Sequence, residues 1–292
     1  MSQTLSQLGE NAVLSRLLPL LPANDALLVG PGDDCAVVAR NKEWDSLLKT
    51  DVVVEGVHFT PETPPPLIGR KALARALSDI AAMGGIPEHA LITILVHPSR
   101  SIELLEGVYT GINELAAQFG VSIAGGETSS LPYDGLVINV ALTGKVETNR
   151  AFLRSRGEPG DILCVSGPLG GSFPSERHLT FTPRIELARA LVQAHVPVKA
   201  MMDLSDGLGT DLPRLAQASH CSFEIDFSSI PCHEGCNVRQ AICDGEDYEL
   251  LMAIDPTSCD AALCAQFGIT PIGKLVSGRG TTLPGGWVHF CA

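Results

Sequence analysis

"VGPGDDCAVV", Val29 to Val38, places two adjacent acids, Asp33 and Asp34, directly behind a Gly-Pro-Gly turn. The apolar residues on both sides predict strands over 26–29 and 35–40, so the acids lie where one strand ends and the next begins. Neighbouring carboxylates repel each other and are costly to bury. We therefore expect other groups of the protein or a bound ligand to hold them at this turn.

The size and charge of the chain set limits on its function. It has 292 residues, of which 45% are apolar, enough for two domains with real cores. Lys and Arg number 20 against 33 Asp and Glu, a formal net charge of -13, which argues against nucleic acid or an anionic membrane as partner. Polyphosphate ligands remain possible because divalent cations can lie between acids and phosphates.

Nothing in the sequence predicts export or membrane insertion. The first residues lack a charged region followed by an apolar core, and no apolar run approaches the roughly 20 residues of a membrane span. The nine cysteines are scattered and include no C-x-x-C. This pattern is typical of reduced thiols, so we expect a cytoplasmic protein.

Hydrophobic periodicity predicts two α+β domains. Strands and helices alternate without the regular spacing of a doubly wound sheet, and the polar stretch 147–160 predicts a boundary that gives domains 1–146 and 147–292. The pattern predicts these helices: 5–20, 67–83 after a stiff proline loop (61–66), 101–119 and 183–194. It further predicts a strand followed by a glycine turn over 121–130, and a final pair of strands.

Acids recur where strands meet glycine turns or helix starts, where loops present ligand groups. They are Asp33, Asp34, Asp51, Asp79, Glu127, Asp203, Asp206, Asp211, Glu246 and Asp247. For Asp206 and Asp211 an ordinary helix N-cap is an open alternative. Asp51 and Asp79 stand in otherwise apolar segments and need a partner. Several buried acids with few basic neighbours favour Mg²⁺ sites.

Other motifs leave alternatives open. The glycines of 124–129 and 169–172 could present amides to phosphate or form ordinary turns. Arg154 lies among arginines that are either a solvated linker or a phosphate clamp. His58 is either structural or functional, and a zinc site around Cys232 fits no standard spacing. Residues 268–275 nearly spell a P-loop but lack the hydroxyl for Mg²⁺, so we reject that motif.

Six stretches in order resemble the thiamine-monophosphate kinases, relatives of aminoimidazole ribonucleotide synthetase, selenophosphate synthetase and the hydrogenase-maturation dehydratase. They are "GPGDDCAVV", "TDVVVEGVHF", "KALARALSDIAAMGG", "AGGETS", "DLSDGLGTDL" and "DGEDYEL". Each alone is weak, but the ordered set covers nearly the whole chain. The resemblance implies a PurM-like fold, with an N-terminal mixed sheet that pairs across a homodimer and a C-terminal α+β sandwich that closes the cleft.

The resemblance also implies ATP, several Mg²⁺ ions and direct in-line transfer of a phosphoryl group to thiamine monophosphate, without a phosphoenzyme. The positions that match the family's metal ligands are Asp34, Thr50, Asp51, Asp79, Glu127, Asp203 and Asp206. Those that match ATP contacts are Gly126, Glu127, Arg154 and Ser205, and those that match substrate contacts are His58, Glu246 and Trp287. Catalysis is expected from Asp51, Asp79, Arg154 and Asp206.

Three departures from the family's pattern stand out. Glu127 replaces the more usual Asp, Asp244 replaces a glycine beside Glu246, and the segment 169–184 is short and polar. Two alternatives therefore remain: another ATP-using member of the superfamily with a different acceptor, and a catalytically weak nucleotide-binding protein. Trp287 is also open, since an aromatic residue near a chain end often belongs to the core.

Overall fold

The N-terminal half of the fold is built on a six-stranded sheet. The computed structural model describes residues 4–287. In chain order the elements are α1 (Leu5–Leu8), α2 (Glu10–Leu17), β1 (Leu27–Val29), β2 (Ala36–Ala39), β3 (Trp44–Val54), α3 (Pro65–Ala82), β4 (Ile86–Val96), α4 (Ile102–Phe119), β5 (Ser122–Ser130) and β6 (Leu136–Glu147).

This sheet has the order β1-β2-β3-β6-β4-β5 and is mixed. Its neighbours are antiparallel except β4 and β5, which run parallel. Along β6, buried residues alternate with half-buried ones, the pattern of a sheet covered on one face. Helix α3 packs on the covered face against β3 and β6, and α4 packs against α3.

The C-terminal half contains a five-stranded antiparallel sheet of order β8-β10-β7-β11-β9. Its elements are β7 (Ile162–Val165), α5 (Arg177–Thr180), α6 (Ile185–Gln193), β8 (Val198–Asp203), α7 (Leu208–Ala218), β9 (Ser222–Ile225), α8 (Val238–Cys243), β10 (Leu250–Ile254), α9 (Ala261–Phe267) and β11 (Thr270–Val276). Short 3-10 turns occupy 18–20, 154–156 and 227–229.

The hydrophobic core continues from one sheet to the other. Leu250 and Met252, on one face of β10, join the cluster formed by α3, α4 and the N-terminal sheet. Leu251 and Ala253, on the opposite face, pack in a second cluster with α7. The second sheet therefore lies between two layers, and the predicted α+β architecture is confirmed.

The main helices agree with their predicted bounds, with one instructive difference. Helix α3 begins at Pro65 rather than Leu67, inside the segment predicted as a stiff loop. Proline is well suited to the first helical turn because its missing N–H has no intrahelical acceptor there and its φ is already helical.

Two predicted elements were wrong, and a third is only partly described. The helix over 5–20 is divided at Gly9, whose φ of 71° is outside helical geometry. The glycine turn expected within 121–130 is continuous strand β5, because Gly125 takes an extended positive-φ conformation that lets pairing with β4 resume. Of the predicted final strand pair, β11 is present, residues 277–287 have no regular structure, and residues 288–292 lie outside the described part of the chain.

Within residues 4–287, no helix is both long and apolar enough to cross a membrane.

Candidate active site

Three buried carboxylates from three different elements meet between the two sheets. Asp34 precedes β2, Asp79 lies in the last turn of α3, and Asp203 ends β8. One oxygen from each lies within 4.8 Å of the others, and all three side chains are buried. Asp79 lies 45 positions after Asp34 and 124 positions before Asp203, yet the three side chains form one compact group of oxygen ligands.

Burial and mutual repulsion oppose ionisation of this group. Burial, followed by the charge of Asp34, raises the pKa of Asp203 to about 7. Burial also raises the pKa of Asp79 well above its usual value. Two carboxyls whose charged forms are this unfavourable are ionised at neutral pH only if cations lie nearby.

Two basic side chains supply part of that compensation. Lys49 Nζ lies 2.6 Å from Asp79 Oδ1, and Arg154 Nη2 lies 2.6 Å from Asp34 Oδ1. Ser78 donates a hydrogen bond of 2.6 Å to Asp203 Oδ2. Burial alone would lower the pKa of Lys49, but the carboxylates of Asp79 and Asp51 raise it overall. Lys49 is therefore a permanent cation of the site.

The group fits a hard divalent cation. Its ligand atoms are carboxylate oxygens, which Mg²⁺ prefers, and their separations suit a shared ion. Two basic side chains face three carboxylates, so the group keeps an acidic excess that a divalent cation would neutralise.

Arg154 holds both acids of the opening pair, through its side chain and its backbone. Asp34 binds the Arg154 guanidinium, and Asp33 Oδ1 accepts the backbone N–H of Arg154 at 3.0 Å. Burial raises the pKa of Asp33 to about 6, an effect that this backbone hydrogen bond partly opposes. Both acids thus tie the first sheet to the segment that leads into the second.

A cavity of about 540 Å³ is lined by residues that neighbour the carboxylate group along the chain: Arg75 lies one helical turn before Asp79, and Ser205 lies two residues after Asp203. Its lining includes His58, Glu246 and Trp287, the three predicted substrate contacts, together with Ser205 and Asp206. This size is typical of sites for small organic ligands, which range over roughly 300–1,000 Å³. The structure therefore brings these five predicted residues to one cavity.

Glu246 is held by a buried network. Lys71, fully buried on α3, contacts Glu246 Oε2, and its Nζ lies 2.7 Å from His178 Nδ1. His178 Nδ1 is 3.0 Å from the same carboxylate oxygen. Burial would raise the pKa of Glu246, but the hydrogen bond from His178 and the charge of Lys71 lower it to about 2. Glu246 is therefore an anion at every physiological pH.

His58 is a neutral group at the same cavity. Its Nδ1 accepts the backbone N–H of Val54 at 3.0 Å, which places the proton of the neutral ring on Nε2. Burial and then the charge of Arg75 lower its pKa to about 4. At neutral pH His58 can therefore donate a hydrogen bond without adding a charge.

Asp206 and Asp211 form a second acidic pair at the start of α7. The N-cap is Gly207, so neither acid is the cap. Asp211 Oδ2 accepts the N–H of Asp206 at 2.9 Å, and Arg214 lies 2.5 Å from Asp206 Oδ2. Asp206 also accepts the N–H of Trp287 on its carbonyl at 2.9 Å, which fixes the end of the described chain beside the cavity.

Three predicted site residues lie apart from the carboxylate group. Thr50 is exposed on the opposite side of β3 from Asp51, and its hydroxyl donates to Asn139. Glu127 is exposed on β5, where its side chain accepts the N–H of Thr128. A Cβ at Gly126 would lie 1.8 Å from Ile92 O, so this glycine is needed for strand pairing whether or not it contacts a ligand. Their proposed ligand roles stay predictions.

Several site residues were not found from the sequence. Arg75 on α3 lines the cavity and pairs with Asp51 at 3.1 Å, while its Nη1 is the single buried side-chain nitrogen or oxygen without a hydrogen-bond partner in the described residues. Lys71 and His178 hold Glu246. A usable signal existed for α3, since Lys71, Arg75 and Asp79 recur at four-residue spacing on one helix face.

Both halves of the chain match the two domains of one protein family. The sequence matches the family described as AIR synthase related protein, N-terminal domain, over residues 32–146. It matches AIR synthase related protein, C-terminal domain, over residues 158–284.

Individual relatives point to one branch. A thiamine-monophosphate kinase from Rhodopirellula baltica is 37% identical over 273 residues, 86% of this chain and 84% of that protein. One from Haemophilus influenzae is 32% identical over 261 residues, 80% of this chain and 77% of that protein. The solved structure of AaThiL complexed with AMPPCP and TMP matches with a TM-score of 0.87 at 28% identity, covering 99% of both chains.

Proposed function

This chain belongs to the thiamine-monophosphate kinase family of AIR synthase-related proteins, and on that premise we propose that it transfers a phosphoryl group from ATP to thiamine monophosphate. The products are thiamine diphosphate and ADP. The observation that carries the proposal is a buried group of three carboxylates beside a cavity of about 540 Å³. Arg75 and the segment from Asp203 to Asp206 connect the two.

The acceptor needs no general base. The second pKa of a phosphate monoester is about 6, so the acceptor is largely dianionic at neutral pH. His58, neutral because its pKa is about 4, is suited to hydrogen bonding rather than to neutralising charge. The barrier is instead the repulsion between the acceptor and the phosphates of ATP, which positioning and charge neutralisation overcome.

Mg²⁺ would be held by Asp34, Asp79 and Asp203, and we extend the set of metal ligands to Asp51 and Asp206. Thr50 and Glu127 lie apart from this group and would serve a different ion of the several that the family resemblance implies. When bound, Mg²⁺ neutralises the phosphates and aligns them for in-line displacement without a phosphoenzyme. Lys49 holds Asp79 in place from the protein side at 2.6 Å.

We assign the remaining side chains of the site either to ATP or to thiamine monophosphate. Arg154, anchored by Asp34, contributes a guanidinium to the ATP phosphates, alongside Gly126, Glu127 and Ser205. The anionic Glu246 faces the cationic thiazolium ring of the acceptor, His58 donates to it, and Trp287 closes one side of the cavity. The positive Arg75 lies where the acceptor phosphate would approach.

We further propose that the enzyme is a cytoplasmic homodimer. The eight cysteines of the described chain form no disulfide, which supports a reducing compartment. The uncovered face of the N-terminal sheet carries exposed Leu48, Val52 and Leu91, which supports pairing with a second copy.

The test is a product assay with purified protein, ATP, Mg²⁺ and thiamine monophosphate, in which free thiamine is the parallel acceptor. We expect thiamine diphosphate from the monophosphate and no product from thiamine. ATP binding that depends on Mg²⁺ without product would contradict the proposal and favour another acceptor. Nucleotide binding without hydrolysis, whatever the acceptor, would instead favour a catalytically weak binding protein.

A further inference from the structure

Three cysteines converge away from the carboxylate group and the cavity. Cys164 lies on β7, Cys259 in the loop between β10 and α9, and Cys264 on α9. The sulfur of Cys259 lies 3.6 Å from that of Cys164 and 3.9 Å from that of Cys264. All three sulfurs are within 4.8 Å of one another.

These separations define a site of metal size. With sides of 3.6 and 3.9 Å and a third of at most 4.8 Å, a point equidistant from the three sulfurs lies within about 2.4 Å of each. The zinc–thiolate distance is about 2.3 Å. An ion at this point would therefore reach all three sulfurs without movement of the backbone.

Access and charge are also compatible with an ion. Cys164 is buried, whereas Cys259 and Cys264 are half-buried and leave one side open to solvent. Burial raises the pKa of the Cys164 thiol and raises that of Cys264 to about 11, so these two thiols are protonated in the metal-free protein. Binding of a cation would have to displace these protons, as it does at zinc–thiolate sites.

We propose that Cys164, Cys259 and Cys264 form a three-thiolate site for a thiophilic divalent cation of the zinc class. Solvent supplies the fourth ligand at the open side. Binding exchanges thiol protons for the metal and involves no oxidation or reduction. The site lies outside the proposed catalytic machinery, so its function would be structural or regulatory and does not depend on the acceptor.

The experiment titrates reduced, metal-free protein with Co²⁺ and Cd²⁺ and follows the thiolate-to-metal charge-transfer absorption. We expect saturation at one ion per chain, with proton release in weakly buffered solution. Cys259→Ser and Cys264→Ser should weaken binding by more than the roughly 10–100-fold that loss of a merely supporting group costs. Cys221→Ser, at a half-buried cysteine outside the group, should bind as the wild type does.

Three results would overturn the proposal. One is folded, reduced wild-type protein without the charge-transfer band, which would leave the cysteines as core residues. Another is binding that Cys259→Ser and Cys264→Ser leave unchanged, which would assign the metal to other ligands. Formation of a Cys164–Cys259 or Cys259–Cys264 disulfide in preference to metal binding, detected by mass spectrometry, would identify a redox pair instead.

Discussion

Asp79 combines burial, a helical position and a charge that its surroundings barely support. It is 6% exposed, and burial raises its pKa well above the usual range. Its direct cationic contact is Lys49 at 2.6 Å, while Asp203 and Asp34 add repulsion. Such a residue costs stability, so its presence in a folded chain indicates a functional requirement.

Asp79→Asn should therefore abolish turnover without unfolding the protein. The amide keeps an acceptor for Lys49 and removes one of three converging negative charges, so we expect no loss of thermal stability. Loss of this ligand should lower kcat by about 100-fold or more.

Asp51→Asn should behave similarly, because Asp51 pairs with Arg75 at the edge of the cavity.

The matched control is Asp161→Asn. Asp161 is also a buried carboxyl, but it precedes the far end of β7, away from Asp203 in the antiparallel register. It should retain wild-type kcat. Near-normal turnover in Asp79→Asn, or an equal loss in Asp161→Asn, would contradict the role of the carboxylate group.

The lowered pKa of His58 predicts that the stability of the fold decreases in a defined range of acid pH. The pKa of His58 is about 4 in the folded protein against 6.5 for the ordinary side chain. Between these two pH values the unfolded chain carries the His58 proton and the folded protein does not, so acid favours the unfolded state. Stability should fall as pH drops from about 6.5 to about 4, by up to about 3 kcal/mol from this group. His58→Gln should remove that part of the pH dependence.

The measurement is urea unfolding of both proteins at pH 7 and pH 4.5. His220→Gln is the matched control, because His220 is exposed in the turn that follows α7. Its stability should show the wild-type pH dependence. A wild-type difference between the two pH values that persists in His58→Gln would locate the acid sensitivity elsewhere.

The acids of the site and Arg154 were predicted from the sequence, but Lys71 and His178, which hold Glu246, were not. Asp79 stood out as a charge on an apolar helix, and Asp34 as a charge at a strand end. Lys71 was not singled out in the sequence, yet it is fully buried against Glu246, 175 positions away. No local pattern records which distant segment covers a helix face.

At the scale of elements, α3 carries most of the site and its position depends on close contact with α4. A Cβ at Gly69 would lie 1.9 Å from Val108 O, and one at Gly111 would lie 1.8 Å from Pro66 O. The two backbones therefore approach more closely than any side chain would permit. This contact sets the depth at which Lys71, Arg75 and Asp79 lie.

Gly111→Ala should destabilise the fold although alanine is the better helix former. The higher helix propensity of alanine stabilises the folded state by about 1 kcal/mol. Overpacking at this contact destabilises it by about 1–3 kcal/mol and sometimes more. Because the clash is with a backbone carbonyl that cannot rotate away, we expect the free energy of unfolding to fall by about 2 kcal/mol. Chemical denaturation measures it.

Thr110→Ala tests the same helix on its exposed side. It should change the free energy of unfolding by no more than about 0.5 kcal/mol. If Gly111→Ala were as stable as Thr110→Ala, the close packing of α3 on α4 would be wrong.

Elements with strong periodicity were predicted well, and those governed by single glycines were not. Leu73, Leu77 and Ile80 identified α3 because they repeat at helical spacing. Gly9 divides the first helix and Gly125 continues a strand, although both have positive φ. Sequence shows that glycine permits such a conformation, but neighbouring strands or helices decide which element results.

At the scale of the molecule, the candidate site exists only where the two halves meet. Ser78 on α3 donates to Asp203 at the end of β8, and Arg154 reaches back to Asp34. Lys71 pairs with Glu246 in the same way. The architecture was foreseeable from ordered motifs, whereas these contacts depend on how the halves dock.

The uncovered face of the N-terminal sheet gives the last prediction. Leu48 and Val52 point outward from β3, opposite to buried Leu47 and Val53, and Leu91 points outward from β4. These three side chains are 44%, 38% and 49% exposed, respectively, on a sheet face that α3 does not cover. Contiguous exposed apolar surface of this kind marks an interaction site, and a second copy is the partner that is always available.

Leu91→Glu should therefore convert a dimer to a monomer, because a carboxylate on this face would be desolvated beside apolar side chains. Sedimentation velocity measures the change directly. Ile102→Glu is the control: Ile102 is 61% exposed at the start of α4, away from the uncovered face, and should leave the dimer intact. A wild-type monomer would refute pairing through this face, and a Leu91→Glu dimer would place the contact on another surface.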